Sequence, residues 1–177
     1  MAVLTAAVVV LGILCVLNLA VTAAVIRRLR TVPATGSRPP VAGLAPGSAV
    51  PQLALRDERG EPVTRASLLG HHTLVAFFAT DCPECSIHAP ELVGRGAELG
   101  AAGVRLLTAL VDTGPDRNGL RRLLGGAGTL LVGEASAELA ARFATEFTPA
   151  YFLVGPDGTV LGSGPTTAAL PLPVPAG

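Results

Sequence analysis

The 177 residues of this chain predict an α/β three-layer sandwich carried behind one N-terminal membrane-spanning helix. Three observations lead there. Residues 1–26 hold no Asp, Glu, Lys or Arg. Beyond them, apolar runs long enough for strands buried on both faces alternate with segments of helical spacing. The last two strands flank Gly155-Pro156-Asp157-Gly158, a turn sequence that folds the chain back antiparallel, so the central sheet is mixed.

The elements follow in chain order. Met1 to Ile26 is apolar apart from Thr5, Asn18 and Thr22. As a helix it is about 39 Å long, enough to span a hydrocarbon core of about 30 Å with tilt. It lacks the basic start, the shorter apolar stretch and the small-residue cleavage site of a removable leader. Residues 1–27 are therefore expected to stay as an anchor, with residues 1–26 in contact with membrane lipid. Cys15 follows Gly12-Ile13-Leu14, without the small residue that precedes a lipid-modified cysteine, and reads as a small apolar residue. Arg27, Arg28 and Arg30 stand directly after the span, and by the positive-inside rule they put the rest of the chain in the cytoplasm. Residues 28–47, with Pro33, Pro39, Pro40 and Pro46, read as a semi-extended tether.

The folded domain is expected over residues 48–165. Gln52 to Arg56 and Pro62 to Thr64 form a hairpin around the polar turn Asp57-Glu58-Arg59-Gly60-Glu61. Thr73 to Ala79 is a buried strand that hands over at Thr80-Asp81-Cys82 to an amphipathic helix. Its apolar positions are Ile87, Leu92 and Val93, with Ala97 and Leu99 beyond, and Pro90 kinks it. A second buried strand covers Val104 to Val111. Asp116 to Leu124 is helical, Thr129 to Val132 is a strand, and Ser136 to Ala144 is a helix with Ser136 as its N-cap. Ala150 to Val154 and Thr159 to Leu161 make the closing hairpin. Residues 166–177, with Pro171, Pro173 and Pro175, form a tail too proline-rich for a full helix.

Composition excludes several function classes. Thirteen acids balance thirteen bases, so there is no basic footprint for nucleic acid. Every base is Arg, which removes Schiff-base and phosphate-loop lysine mechanisms. Three cysteines are too few for a disulfide-dense scaffold, and no Cys/His set has zinc-finger spacing. Aromatics are 3 % of the chain with no Trp, so the core is expected from small aliphatic side chains.

The chemistry lies at Cys82-Pro83-Glu84-Cys85, where a buried strand gives way to a helix. There the first cysteine meets unpaired backbone N–H groups and the positive end of the helix dipole, which stabilise a thiolate. The thiolate is the nucleophile, and Cys85, one turn later on the same face, can reach back to resolve a mixed disulfide. Pro83 at the helix start costs no hydrogen bond and fixes the turn. Asp81 and Glu84 place negative charge beside the sulfurs and moderate the activation. An inert buried cysteine pair or half of a zinc site are the competing readings; the absence of a second CxxC and the position at a strand end weigh against both.

The stretches LVAFFATDCPECSIHAPEL and FTPAYFLVGPDGTVLGSG resemble membrane-anchored thioredoxin-like thiol-disulfide oxidoreductases of the TlpA/ResA/MauD type, in the AhpC/TSA-thioredoxin superfamily. The resemblance covers about Gly47 to Gly164. Its most specific pair is the CxxC after a strand and Thr148-Pro149 about sixty residues on. It implies a thioredoxin-like sandwich, an attacking Cys82, a resolving Cys85, Thr148 as the contact to a substrate backbone, and Pro149 as a cis-proline lying against the cysteines. It implies protein thiol or disulfide substrates, a membrane or soluble electron donor, and no cofactor beyond the redox-active Cys82–Cys85 disulfide. It also places the domain outside the cytoplasm, against the charge argument.

The chain departs from that pattern in three places. Thioredoxins carry Trp just before the CxxC, where this chain has Asp81, and a buried Asp six residues before the first cysteine, where it has Ala76. The proton acceptor for Cys85 is therefore left to Glu84 or water. The missing final helix leaves one sheet face less covered, open to a partner or the membrane. Two other functions stay open. CxxCxxH, with His88, fits a copper or zinc accessory module, although His88 reads more simply as a solvent-facing helix residue. A thiol peroxidase shares the Cys82-Pro83 pair but requires a Thr or Ser three residues before the cysteine, where Ala79 stands, and Thr80 is two before. His71 and His72 read as solvated, Arg121 and Arg122 as a solvated face, and Glu91 as an ordinary exposed helix acid.

Overall fold

The structure is a computed structural model that describes residues 43–173 together with Met1, Gly12 and Leu14. The expected anchor over residues 1–27 and the first part of the tether fall almost wholly outside the described residues, as do Cys15 and the last four residues of the tail. Among the described residues no helix is long and apolar enough to cross a membrane.

Strands β1 (Ala54–Arg56) and β2 (Pro62–Thr64) pair antiparallel, with Leu55 opposite Val63. The Asp57 carboxylate accepts the N–H groups of Arg59 (2.9 Å) and Glu61 (2.8 Å), which closes the polar turn between them. The main sheet has the order β5-β4-β3-β6-β7. Strands β3 (His72–Ala79), β4 (Val104–Val111) and β5 (Thr129–Val132) run parallel, and β6 (Ala150–Val154) and β7 (Val160–Gly164) run antiparallel to their neighbours. The mixed sheet is thus as the sequence predicts.

Because side chains alternate along a strand, β3 feeds two cores. Val75 and Phe77 join Leu107, Leu131, Phe152 and the helix α4 (Glu134–Arg142) residue Leu139 on one face. Leu74, Ala76 and Phe78 join Tyr151, Leu153 and helix α1 (Pro83–Gly94) on the other, through Cys85, Ala89 and Leu92. Aromatic rings are few but concentrated here, contrary to the expectation of an aliphatic core. Phe77, Phe143 and Phe152 meet pairwise with centroids 5.2–5.7 Å apart, and Phe78 packs edge-on to Tyr151 at 5.8 Å.

Helix ends are where the structure corrects the sequence. The helix after Cys82 does not run on to Leu99. It stops at Arg95, between Gly94 and Gly96, and α2 (Gly96–Ala101) starts anew, with Leu99 buried from it. Ile87, expected to face inward, is 63 % exposed; the inward set is Cys85, Ala89 and Leu92. Helix α3 covers Leu120–Gly125 rather than starting at Asp116. Gly119 has φ 64° and breaks the run, and the Asp116 carboxylate instead accepts the N–H groups of Leu120 (2.8 Å) and Arg121 (3.0 Å). Helix α4 begins at Glu134 after Gly133. Ser136 is not its cap but lies buried inside it, its hydroxyl donating to the Gly133 carbonyl at 2.7 Å.

The tail is not a helix, yet the sheet face it was expected to bare is covered. Gly162 and Gly164 of β7 have no side chain, and Pro171 and Ala169 lie so close that a Cβ would meet them at 2.9 and 2.8 Å. Leu170 is buried in the α1-side core, and the Arg95 guanidinium donates to Thr167 Oγ1 at 2.6 Å. A short 3-10 turn, Thr167–Ala169, is the only regular element among its described residues.

Candidate active site

Strand β3, the central strand, is buried on both faces and ends at Ala79, and the chain leaves the sheet at Thr80. Asp81 is exposed, and Cys82 takes the N-cap position of α1 with extended backbone (φ −119°, ψ 111°). Pro83 occupies the first helical turn, where its missing N–H is not needed. The Cys85 N–H then points back and lies 3.1 Å from Cys82 Sγ. Cys82 and Cys85 form a disulfide with Cα atoms 5.2 Å apart. The two sulfurs differ in access: Cys82 is half-buried, whereas Cys85 is fully buried beneath α1, with the Ala79 N–H 3.5 Å from its Sγ.

The opposite wall comes from the loop before β6. The Thr148 carbonyl oxygen lies 3.6 Å from Cys82 Sγ, and the Thr148–Pro149 peptide is cis. The chain thus brings Cys82, Cys85, Pro83, Thr148 and Pro149 to one place, across sixty-six residues of sequence between Cys82 and Thr148. Glu84 sits on the same first turn, exposed to solvent.

The remaining candidates separate from this centre. His88 Nδ1 lies 3.3 Å from a Glu91 carboxylate oxygen, one turn apart on α1, so both side chains have a partner. Among the described residues no three His, Cys, Asp or Glu side chains are grouped to hold a metal ion. His71 and His72 are half-buried rather than solvated, and burial, reinforced by Arg105, holds the His71 imidazole below its ordinary value. Arg121 lies on the surface, its Nε 3.4 Å from Glu58. Ala76 is fully buried on the α1 side of β3 with Tyr151 as its cross-strand neighbour, so the floor under Cys85 is apolar and aromatic.

Two residues escaped the sequence reading. Phe147 is the one aromatic side chain left in the open, 67 % exposed, next to Thr148. The sequence alone carried no signal of its exposure, since it reads there like the other four Phe. Thr80 carries a hydrogen-bond network to the loop after β4, and no local signal announces a bond between positions so far apart.

A five-stranded mixed sheet with a CxxC at the first helix of its central parallel strand and a cis-proline facing it defines a protein of thioredoxin-like fold with a paired-cysteine centre. The chain belongs to the AhpC/TSA family, whose profile matches residues 46–162. Among solved structures, it is similar to the thioredoxin domain of a thiol-disulfide oxidoreductase from Bacteroides vulgatus, at 19 % identity and TM-score 0.56 over 72 % of this chain and 93 % of that one. It is also similar to a thiol:disulfide interchange protein from Bacteroides sp., at 21 % identity and TM-score 0.53 over 68 % of this chain and 81 % of that one. A protein from Chlorobium tepidum assigned as the thiol:disulfide interchange protein DsbE aligns at 20 % identity and TM-score 0.54, over 68 % and 84 %. No curated protein matches the chain.

Proposed function

We propose that this chain is a membrane-tethered thiol-disulfide oxidoreductase that exchanges electrons with protein thiols through Cys82 and Cys85. The observation that carries it is the asymmetry of the pair: a half-buried cysteine at a helix N-terminus, its sulfur 3.1 Å from a backbone N–H, bonded to a cysteine wholly buried behind it. The N–H and the helix dipole favour negative charge on Cys82 once the pair is reduced.

In the reducing direction, the Cys82 thiolate attacks one sulfur of a substrate disulfide. That S–S bond breaks, its second sulfur leaves as a thiolate, and a mixed disulfide joins Cys82 to the substrate. Cys85, after giving up its proton to Glu84 or water, attacks Cys82 Sγ and releases the substrate's remaining thiolate. The Cys82–Cys85 bond forms again, two electrons have passed to the substrate, and an external donor must reduce the pair before the next cycle. Run backwards, the same steps oxidise a dithiol. Thr148 offers its backbone to an extended substrate segment beside Cys82.

The apolar residues 1–26 are the membrane contact, and the resemblance to the TlpA/ResA/MauD type supports an extracytoplasmic domain over the cytoplasmic side favoured by Arg27, Arg28 and Arg30. The test uses the full chain in detergent with insulin as the disulfide substrate. Cys85→Ser should accumulate a covalent adduct, released by dithiothreitol, and Cys82→Ser should form none. Equal adduct in both variants, or none in either, contradicts the assignment of roles. The AhpC/TSA match favours a second reading, peroxide reduction, in which the Cys82 thiolate attacks one oxygen of hydrogen peroxide, the O–O bond breaks and hydroxide leaves to give a sulfenic acid, and Cys85 condenses with it, releasing water. Peroxide consumption by the same variants separates the two.

A further inference from the structure

We propose that Thr80 is the positioning residue for the Cys82 sulfur, an inference that rests on the role of Cys82 argued above. Thr80 follows the last residue of β3 and is 7 % exposed. Its hydroxyl donates to the Gly114 carbonyl at 2.7 Å and accepts the N–H groups of Thr113 at 3.0 Å and Gly114 at 3.1 Å. A hydroxyl has one proton to give and two lone pairs to offer, so its capacity is filled. The backbone adds two ties in the same direction. The Thr80 N–H donates to the Val111 carbonyl at 3.1 Å, and the Asp81 N–H donates to Thr113 Oγ1 at 3.2 Å.

The turn Thr80-Asp81-Cys82 is thereby joined to the loop that leaves β4. Gly114 lets the two come together, since a Cβ there would stand 3.2 Å from the Asp81 Cβ. The network lies two residues before Cys82, outside both apolar cores. It fixes the backbone that gives Cys82 its N-cap conformation, and with it the approach of Sγ to the Cys85 N–H and the Thr148 carbonyl. A buried hydroxyl holding three backbone groups of a separate loop is costly to remove, because each partner is left without its hydrogen bond. If the turn relaxes, the sulfur loses the N–H that favours its thiolate and reacts more slowly at neutral pH.

The experiment measures alkylation of Cys82 by iodoacetamide in the reduced full-length protein, followed by mass, which needs no protein substrate. Thr80→Val keeps the shape of the side chain and removes its hydroxyl. It should slow Cys82 alkylation about tenfold or more, in keeping with the sensitivity of reactive groups to small misplacements. Thr80→Ser should restore a near wild-type rate. A Thr80→Val protein that melts lower yet alkylates at the wild-type rate overturns the proposal, as does equal slowing in Thr80→Ser. Should Thr80→Val fail to fold, Thr113→Val decides the matter. It removes only the bond to the Asp81 N–H from an exposed loop, and slower alkylation is expected where a wild-type rate would overturn the proposal. Because alkylation is independent of exchange, a Thr80-dependent rate in a chain without adducts to insulin counts against the exchange reading alone.

Discussion

The floor of the site turns on Ala76 and Tyr151, neighbours across β3 and β6 on the face that α1 covers. With alanine at the first position, no carboxylate lies under Cys85 from β3, and the polar group nearest in register is the Tyr151 phenol. Burial, and secondarily the negative charge of Glu91, pushes that phenol well above its ordinary value. The consequence for stability has a definite sign. An unfolded chain releases the phenol proton near pH 10, while the folded chain keeps it, so above that pH the unfolded state binds fewer protons. The stabilisation is complete below about pH 10 and is lost as pH rises toward the folded value. The chain has a single Tyr and no Trp, so phenolate absorbance reports this one residue. Native protein should show no phenolate step near pH 10, the unfolded protein should show one, and Tyr151→Phe should flatten the fall in unfolding free energy above pH 10.

Among the elements, β7 and the segment after it carry the clearest stability argument. Gly162 and Gly164 are the space into which Pro171 and Ala169 fit. Gly162→Ala would press a methyl group against the Pro171 ring and push the tail off the sheet, at a cost of about 1–3 kcal/mol. Urea unfolding of this variant checks it, and a midpoint equal to wild type would mean that the tail adds nothing. The same region shows what could be read beforehand. Strands β4, β5 and β6 span the residues the sequence predicts, since each is a compact run of largely buried apolar side chains. Helix ends were less legible: Gly119 and Gly133 set the starts of α3 and α4 through positive φ, and Arg95 divides the expected long helix in two. Within the site, Cys82 and Cys85 announce themselves by spacing, and Thr148-Pro149 by resemblance. The Thr80 network did not, since its partners lie 33 and 34 residues away and are backbone groups that any residue supplies.

At the scale of the whole molecule, residues 38–177 form one compact unit built on the mixed sheet. Both faces of that sheet are covered, one by α4 and the β1-β2 hairpin, the other by α1, α3 and the tail. A zero formal net charge gives no long-range attraction for a partner of either sign. The central claim is that Cys82 and Cys85 act as one reversible two-electron couple. It is tested most directly by equilibrating the full chain across glutathione and dithiothreitol buffers and counting alkylated thiols by mass. A single transition in which both thiols appear together, absent from Cys82→Ser and Cys85→Ser, is the expected result, and its midpoint decides whether the chain acts as reductant or oxidant. Cys82 and Cys85 thiols that stay unpaired across the whole range, or that titrate independently of one another, would contradict the account, whereas Cys15 should add one thiol that does not change with the buffer.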